Sequence, residues 1–167
     1  MVPERFESSE TRALPARLDW FWKVPMPVIS ITRLRVRSWF YLPAFLFAAL
    51  RIGNQVKSAP GNLGAKVLND RRKVFWTCTG WDSEAAMRAF MLAGPHGPTM
   101  RKLLEWCDEA ALVHWTQDSP ELPSWIEAHR RMQHEGRTSK VNHPTEAHRK
   151  FEIAAPAPNS KGGVRLK

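Results

Sequence analysis

The sequence predicts an α+β chain of the ferredoxin-like kind, βαββαβ, with a four-stranded antiparallel sheet carrying two helices on one face. Three observations predict it. VISITRLRVR and KVFWTCTGWD alternate with period two and are rich in β-branched and aromatic residues. Stretches starting near Leu42 and Ser83 instead space their apolar residues by three and four. The order along the chain is strand, helix, strand, strand, helix, strand, with one more helical stretch behind it.

Residues 1–26 read as an irregular arm rich in charge and proline, ending in LDWFWKVPMP. Trp20, Phe21 and Trp22 would be awkward in water, so the arm is expected to fold back or to meet a partner. Val28 to Arg37 forms the first strand. One face carries Val28, Ser30, Thr32, Leu34 and Val36; the other carries Ile29, Ile31, Arg33, Arg35 and Arg37. The helix from Leu42 to Ser58 has a stripe of Leu42, Phe45, Leu46, Ala49, Leu50, Gly53 and Val56, and Pro60-Gly61 ends it. Its first part, WFYLPAFLFAAL, is too short to span a bilayer, which needs about 20 apolar residues, and so reads as a buried helix. GAKVLND and KVFWTCTGWD form a hairpin. In the latter, Val74, Trp76, Cys78 and Gly80 oppose Phe75, Thr77, Thr79 and Trp81.

Asp82 or Ser83 caps the second helix, which is expected to run to about Ala111 with an interruption at GPHGP, Gly94 to Pro98. Gly94 can close the first segment in a left-handed conformation, Pro95 stops it, and Pro98 suits the start of the next. LVHWTQ, Leu112 to Gln117, is the fourth strand. These elements place the ferredoxin-like domain at residues 27–118, a C-terminal helix capped by Ser124 at 119–136, and an extended wrap with a basic tail at 137–167, disordered from about Ala154. Because the strands are apolar on both faces, the face away from the helices needs a cover, and a second subunit is the simplest one.

The chain of 167 residues carries a formal charge of +9, yet the basic residues are scattered and no base-stacking motif interleaves them. This argues against nucleic acid and for solvated charge with some attraction to anionic surfaces. Cys78 and Cys107 share no metal-binding spacing and read as buried free thiols in a reducing cytoplasm. The polar start MVPERFESSETR does not read as a signal peptide, and no integral membrane segment is expected. His129, His134, His143 and His148 lie spread over a polar extension, so no metal site is expected.

The strand ISITRLRVR, the turn PGNLGAKVL, the strand FWTCTGW, the helix start WDSEAAMRAF and the break AGPHGPTM together resemble the dimeric α+β barrel superfamily, the group of the antibiotic-biosynthesis monooxygenases. The resemblance covers about residues 27–118 and is nearest to bacterial proteins around the spheroidene-monooxygenase-like ones. It implies a homodimeric barrel and a cavity between helices and sheet, faced by the interrupted helix. Members include cofactor-free oxygenases, haem proteins, isomerases and domains without a known reaction, so the fold alone names no activity.

Within that frame His96 is the candidate catalytic residue: a general base, a donor to a substrate oxygen, or, if haem binds, its axial ligand. Otherwise it bonds to exposed backbone of the break. Arg33, Trp76 and Trp81 are candidate substrate-binding residues, the arginine for a carboxylate or phenolate and the rings for stacking on a flat molecule. Core packing is the competing reading for each ring, and for His114 in the last strand. Haem-degrading members use an Asn on the first strand, where this chain offers Ser30 and Thr32. The expected activity is oxidation of a small hydrophobic molecule, aromatic or polyene, without a cofactor or with haem. The alternatives are a ligand-binding or structural homodimer, and a basic adaptor acting through residues 154–167.

Overall fold

Strand β1, Val28–Val36, is the spine of the sheet, with β3, Val74–Trp81, on one side and β4, Cys107–Thr116, on the other, both antiparallel to it. The computed structural model describes residues 26–70, 73–157 and 163–166. Strand β2, Asn62–Asp70, pairs with β3, so the first four strands stand in the order β4-β1-β3-β2. Helix α1, Leu42–Ser58, and the interrupted pair α2, Glu84–Leu92, and α3, His96–Trp106, lie on one face. This is the expected βαββαβ arrangement.

Beyond β4 the chain adds helix α4, Trp125–Glu135, a two-residue strand β5, Arg137–Thr138, a single helical turn α5, Glu146–Arg149, and a second short strand β6, Val164–Arg165. β5 pairs with β4 and β6 with β2, so both edges of the four-stranded sheet gain a short strand from the C-terminal extension. Such caps occupy edge N–H and C=O groups that would otherwise invite pairing with another chain. This differs from the expectation of a disordered tail from Ala154. Leu166 donates its backbone N–H to Ala65 O at 2.7 Å and packs beside Val56, Trp81 and Phe90. The arm with Trp20, Phe21 and Trp22 lies outside the described residues.

Two further expectations are corrected. Residues 107–111, CDEAA, read as helix from composition but form the start of β4. Glu109 there meets Arg33 at 2.6 Å and Arg35 at 2.8 Å, pairing that requires an extended chain beside β1. Tertiary partners override a local helix preference. The second correction concerns α1, which is not a buried helix. Its sheet-facing side buries Phe45 and Val56, while Phe47 is 64% and Leu50 69% exposed.

The face of the sheet turned from α1–α3 is covered by the chain itself. Ile29, Ile31, Trp76, Cys78, Val113 and Trp115 pack there against Ala128 and Met132 of α4, with Trp125 and Ile153 at the margin. Ala128 and Met132 have no exposed surface. The cover that the sequence suggested would come from a second subunit is therefore intramolecular. Ser124 starts α4 by accepting a hydrogen bond from the Glu127 N–H, as its spacing foretold.

Candidate functional site

Between the helices and the sheet lies a cavity of about 330 Å³. Its floor is the even-numbered face of β1 with its neighbours in register. Ser30 stands between His114 of β4 and Thr79 of β3; Thr32 stands between Leu112 and Thr77. Four hydroxyls and an imidazole thus cross the centre of a face that is otherwise apolar. The side chains of Ser30, Thr32, Thr77 and His114 have no hydrogen-bond partner among the described residues, whereas Thr79 Oγ1 accepts the indole N–H of Trp81 at 2.9 Å. Walls and roof come from Phe45 and Ile52 of α1, Met87 and Phe90 of α2, and Leu103 of α3. Ala49 of α1, Met100 of α3 and Lys140 are the exposed residues of the lining.

The GPHGP break places His96 in this wall. Gly94 has φ 53°, a left-handed value that glycine adopts at no steric cost, and α3 starts at His96 after Pro95. The chain starts α3 earlier than expected, so Pro98 falls within its first turn. Gln55 of α1 holds the broken backbone: its amide N–H₂ donates to Phe90 O at 3.2 Å and Ala93 O at 3.0 Å, and its Oε1 accepts the His96 N–H at 3.3 Å. One side chain thus meets three backbone groups at the interruption, of which Phe90 O also accepts the Ala93 N–H at 3.3 Å.

The imidazole of His96 packs against Phe90, ring centroids 4.9 Å apart, with Nδ1 3.1 Å from the carbonyl oxygen of Met91. A carbonyl can only accept, so Nδ1 carries the proton and Nε2 of the neutral ring is an acceptor. Burial lowers the pKa of His96 below the ordinary histidine value, against a smaller opposing effect from the Met91 carbonyl. His114 is lowered too, by burial and then by the positive charge of Arg137. The cavity therefore holds two neutral imidazoles at neutral pH. Lys140, exposed at the rim, is the one cation among its described lining residues.

Of the residues singled out in the sequence, the structure brings His96 and Trp81 to the cavity and leaves Arg33 and Trp76 on the opposite face. Trp81 is fully buried and stacks, tilted, on Phe90 at 4.9 Å. Trp76, also fully buried, belongs to the layer under α4, with the Arg33 guanidinium 5.9 Å from its ring centre. Arg33 does hold a carboxylate, but that of Glu109. Burial alone would raise the Glu109 carboxyl, but hydrogen bonds from Arg33 and Arg35 reverse this and hold it below its ordinary value. Strand parity separates Arg33 from Ser30 and Thr32, so which face met the helices was the missing piece. The polar floor and Gln55 were not foreseen. The same parity carried the signal for the floor, since Ser30, Thr32, Thr77 and Thr79 alternate with apolar neighbours.

Toward a haem, the described lining offers a free ring nitrogen, Nε2 of His96, and one cation, Lys140, for two propionates. Among the described residues no three of His, Cys, Asp and Glu stand close enough to hold a metal ion. Cys78 and Cys107 are buried free thiols, both pushed up to about 12 by burial.

No family model matches the chain, and no curated protein matches it. Solved structures do. A protein from Pseudomonas aeruginosa superposes with TM-score 0.51 at 12% identity, over 57% of this chain and 98% of its own. A Nitrosomonas europaea protein, described as a candidate antibiotic biosynthesis monooxygenase, gives TM-score 0.50 at 16% identity, over 56% and 91%. A protein of unknown function from Bacteroides thetaiotaomicron, suggested to be an oxidoreductase, gives 0.50 at 16%, over 56% and 99%. At these identities the likeness is one of fold: the chain shares the ferredoxin-like α+β fold of these three structures. Those proteins are matched almost end to end over little more than half of this chain, so a large part of it lies outside the shared fold.

Proposed function

We propose that this protein is a cofactor-independent, monooxygenase-like enzyme that takes a small, flat, hydrophobic phenol into the cavity between α1–α3 and the sheet. The observation that carries the reading is the neutral His96, with Nδ1–H engaged by Met91 and Nε2 left as an acceptor in an apolar wall. Nε2 accepts the phenolic proton, and the electron pair released delocalises to the ring carbon that is a CH₂ in the keto form. That carbon attacks O₂, forming a C–O bond, and the peroxide anion takes the proton back from His96. The hydroperoxide then loses water, so CH₂ and O₂ become C=O and H₂O, with both electron pairs supplied by the substrate. Trp81 and Phe90 provide the ring surfaces, and the Ser30, Thr32 and Thr77 hydroxyls donate to substrate oxygens. Exclusion of water by Phe45, Met87 and Leu103 protects the carbanion from reprotonation. Oxygen uptake with hydroxyanthrone-type phenols tests this: the wild type consumes O₂ and His96→Ala loses about a hundredfold or more in kcat. Equal turnover by the two removes His96 from the chemistry.

A second reading is ligand binding without turnover, and one observation favours it: His96 is oriented by a carbonyl rather than a carboxylate, which leaves the imidazole a weak base. It predicts the same binding and no oxygen uptake. A homodimer of the kind the resemblance implies has no free sheet face to form through while α4 lies on it; pairing would use another surface. The two buried free thiols support a reducing, cytoplasmic location, and no helix among the described residues is long and apolar enough to cross a membrane.

A further inference from the structure

The outward side of α1 is apolar where a soluble helix is ordinarily polar. Phe47 and Leu50 face away from the sheet, and the turn before the helix adds Trp39, 70% exposed, and Phe40, 82% exposed. Leu46, 41% exposed, extends the patch along the helix. Arg51 and Lys57 are exposed on the same side, one to three turns beyond Phe47. Lys73 stands over the Trp39 ring, 5.4 Å from its centre. Arg51 and Lys57 are the only charged residues of α1, and the arginines of β1 and the turn after it, Arg33, Arg35 and Arg37, are paired with Glu109, Asp108 and Glu105. Glu105, which reaches the turn, is engaged by Arg37 at 2.5 Å and by the Tyr41 hydroxyl at 3.3 Å.

We infer that α1 and the Trp39–Phe40 turn form a docking surface for an anionic lipid bilayer. Aromatic and aliphatic side chains enter the acyl boundary, and Arg51 and Lys57 meet the headgroups. A helix with Trp, Phe and Leu on one side and basic residues without acids around them is the arrangement that lies in a membrane interface. The position of the cavity gives the dock a use. Ala49, an exposed lining residue of the cavity, stands on α1 beside the exposed Leu46 and Leu50. A hydrophobic molecule dissolved in the bilayer would then reach the cavity without crossing water. The docking inference rests on the surface alone and does not require that the cavity be catalytic.

Co-sedimentation of the full chain with vesicles tests it. The chain should pellet with phosphatidylcholine vesicles containing about one-third phosphatidylglycerol, far less with phosphatidylcholine alone, and release as salt rises. F47S/L50S should lower the partition coefficient about tenfold, and R51E/K57E by a similar factor on the anionic vesicles only. All four side chains are exposed, so both variants should keep the wild-type circular dichroism and melting temperature. Failure to pellet with anionic vesicles overturns the inference, as does binding indifferent to both variants. It is equally overturned if F47S/L50S halves the mass in sedimentation equilibrium, which would make the patch a contact between copies. A lower melting temperature in F47S/L50S that deletion of residues 1–25 reproduces would assign the patch to the N-terminal arm instead.

Discussion

Replacing Gln55 by alanine should loosen the broken helix and with it the wall that carries His96. The side chain makes three hydrogen bonds, to Phe90 O, Ala93 O and the His96 N–H, at 3.2, 3.0 and 3.3 Å. A net hydrogen bond contributes about 0.5–1.5 kcal/mol. The bond to Ala93 is exposed, so water can replace it at little cost, and the two part-buried ones set the loss at about 1–3 kcal/mol. For a chain of this size that is a fall in melting temperature of roughly 3–9 °C. Urea unfolding followed by far-UV circular dichroism reads it as a lower midpoint with an unchanged slope. Gln55→Glu is the informative companion. It keeps an acceptor for the His96 N–H but sets a carboxylate against two carbonyls, and should be at least as destabilising as alanine. Should Gln55→Ala fall within about 0.3 kcal/mol of wild type, the break supports itself through Gly94 and Pro95, and the account of how His96 is positioned is wrong.

Other consequences are as direct. His96 and His114 both have pKa values lowered in the fold, so the unfolded chain binds more protons as pH falls below about 6.5. Stability is full above that pH and is lost as pH falls through the folded-state values; His96→Gln should flatten the decline in pH-dependent urea midpoints. Met132→Ala should cost about 2–5 kcal/mol in chemical unfolding, because Met132 is fully buried between α4 and the sheet; a loss under 1 kcal/mol would mean α4 does not cover that face. Glu109→Ala strands the buried Arg33 guanidinium and should cost about 3–5 kcal/mol, whereas the paired replacement Arg33→Met with Glu109→Leu should recover most of it. Gly94→Ala, forced to φ 53°, should lose about 1–2 kcal/mol in the same assay.

Periodicity made the order of the elements legible, because alternation and the three–four spacing are local properties. It could not tell which strand face met the helices, since both faces of β1 and β3 are apolar. That single unknown decided Arg33 and Trp76 against Trp81. It also hid the hydroxyl floor, whose members were visible as alternate residues but belonged to no recognisable motif. The break was readable from Gly94, Pro95 and Pro98, while Gln55, far away in the chain, gave no signal because its role is purely tertiary. CDEAA misled for the same reason: its helical composition is overruled by the ion pairs of Glu109 across the sheet. The apolar run of α1 suggested burial because hydropathy alone does not count the surface available to bury against.

Titration of the purified chain with 2-naphthol, followed by calorimetry, tests the central claim that the helix–sheet cavity binds a flat phenol beside His96. The account predicts one site per chain. Thr32→Trp, which fills the floor, should abolish binding; His96→Phe should weaken it about tenfold while the fold stays intact by circular dichroism. Binding that survives Thr32→Trp with unchanged affinity would place the phenol elsewhere and contradict the account.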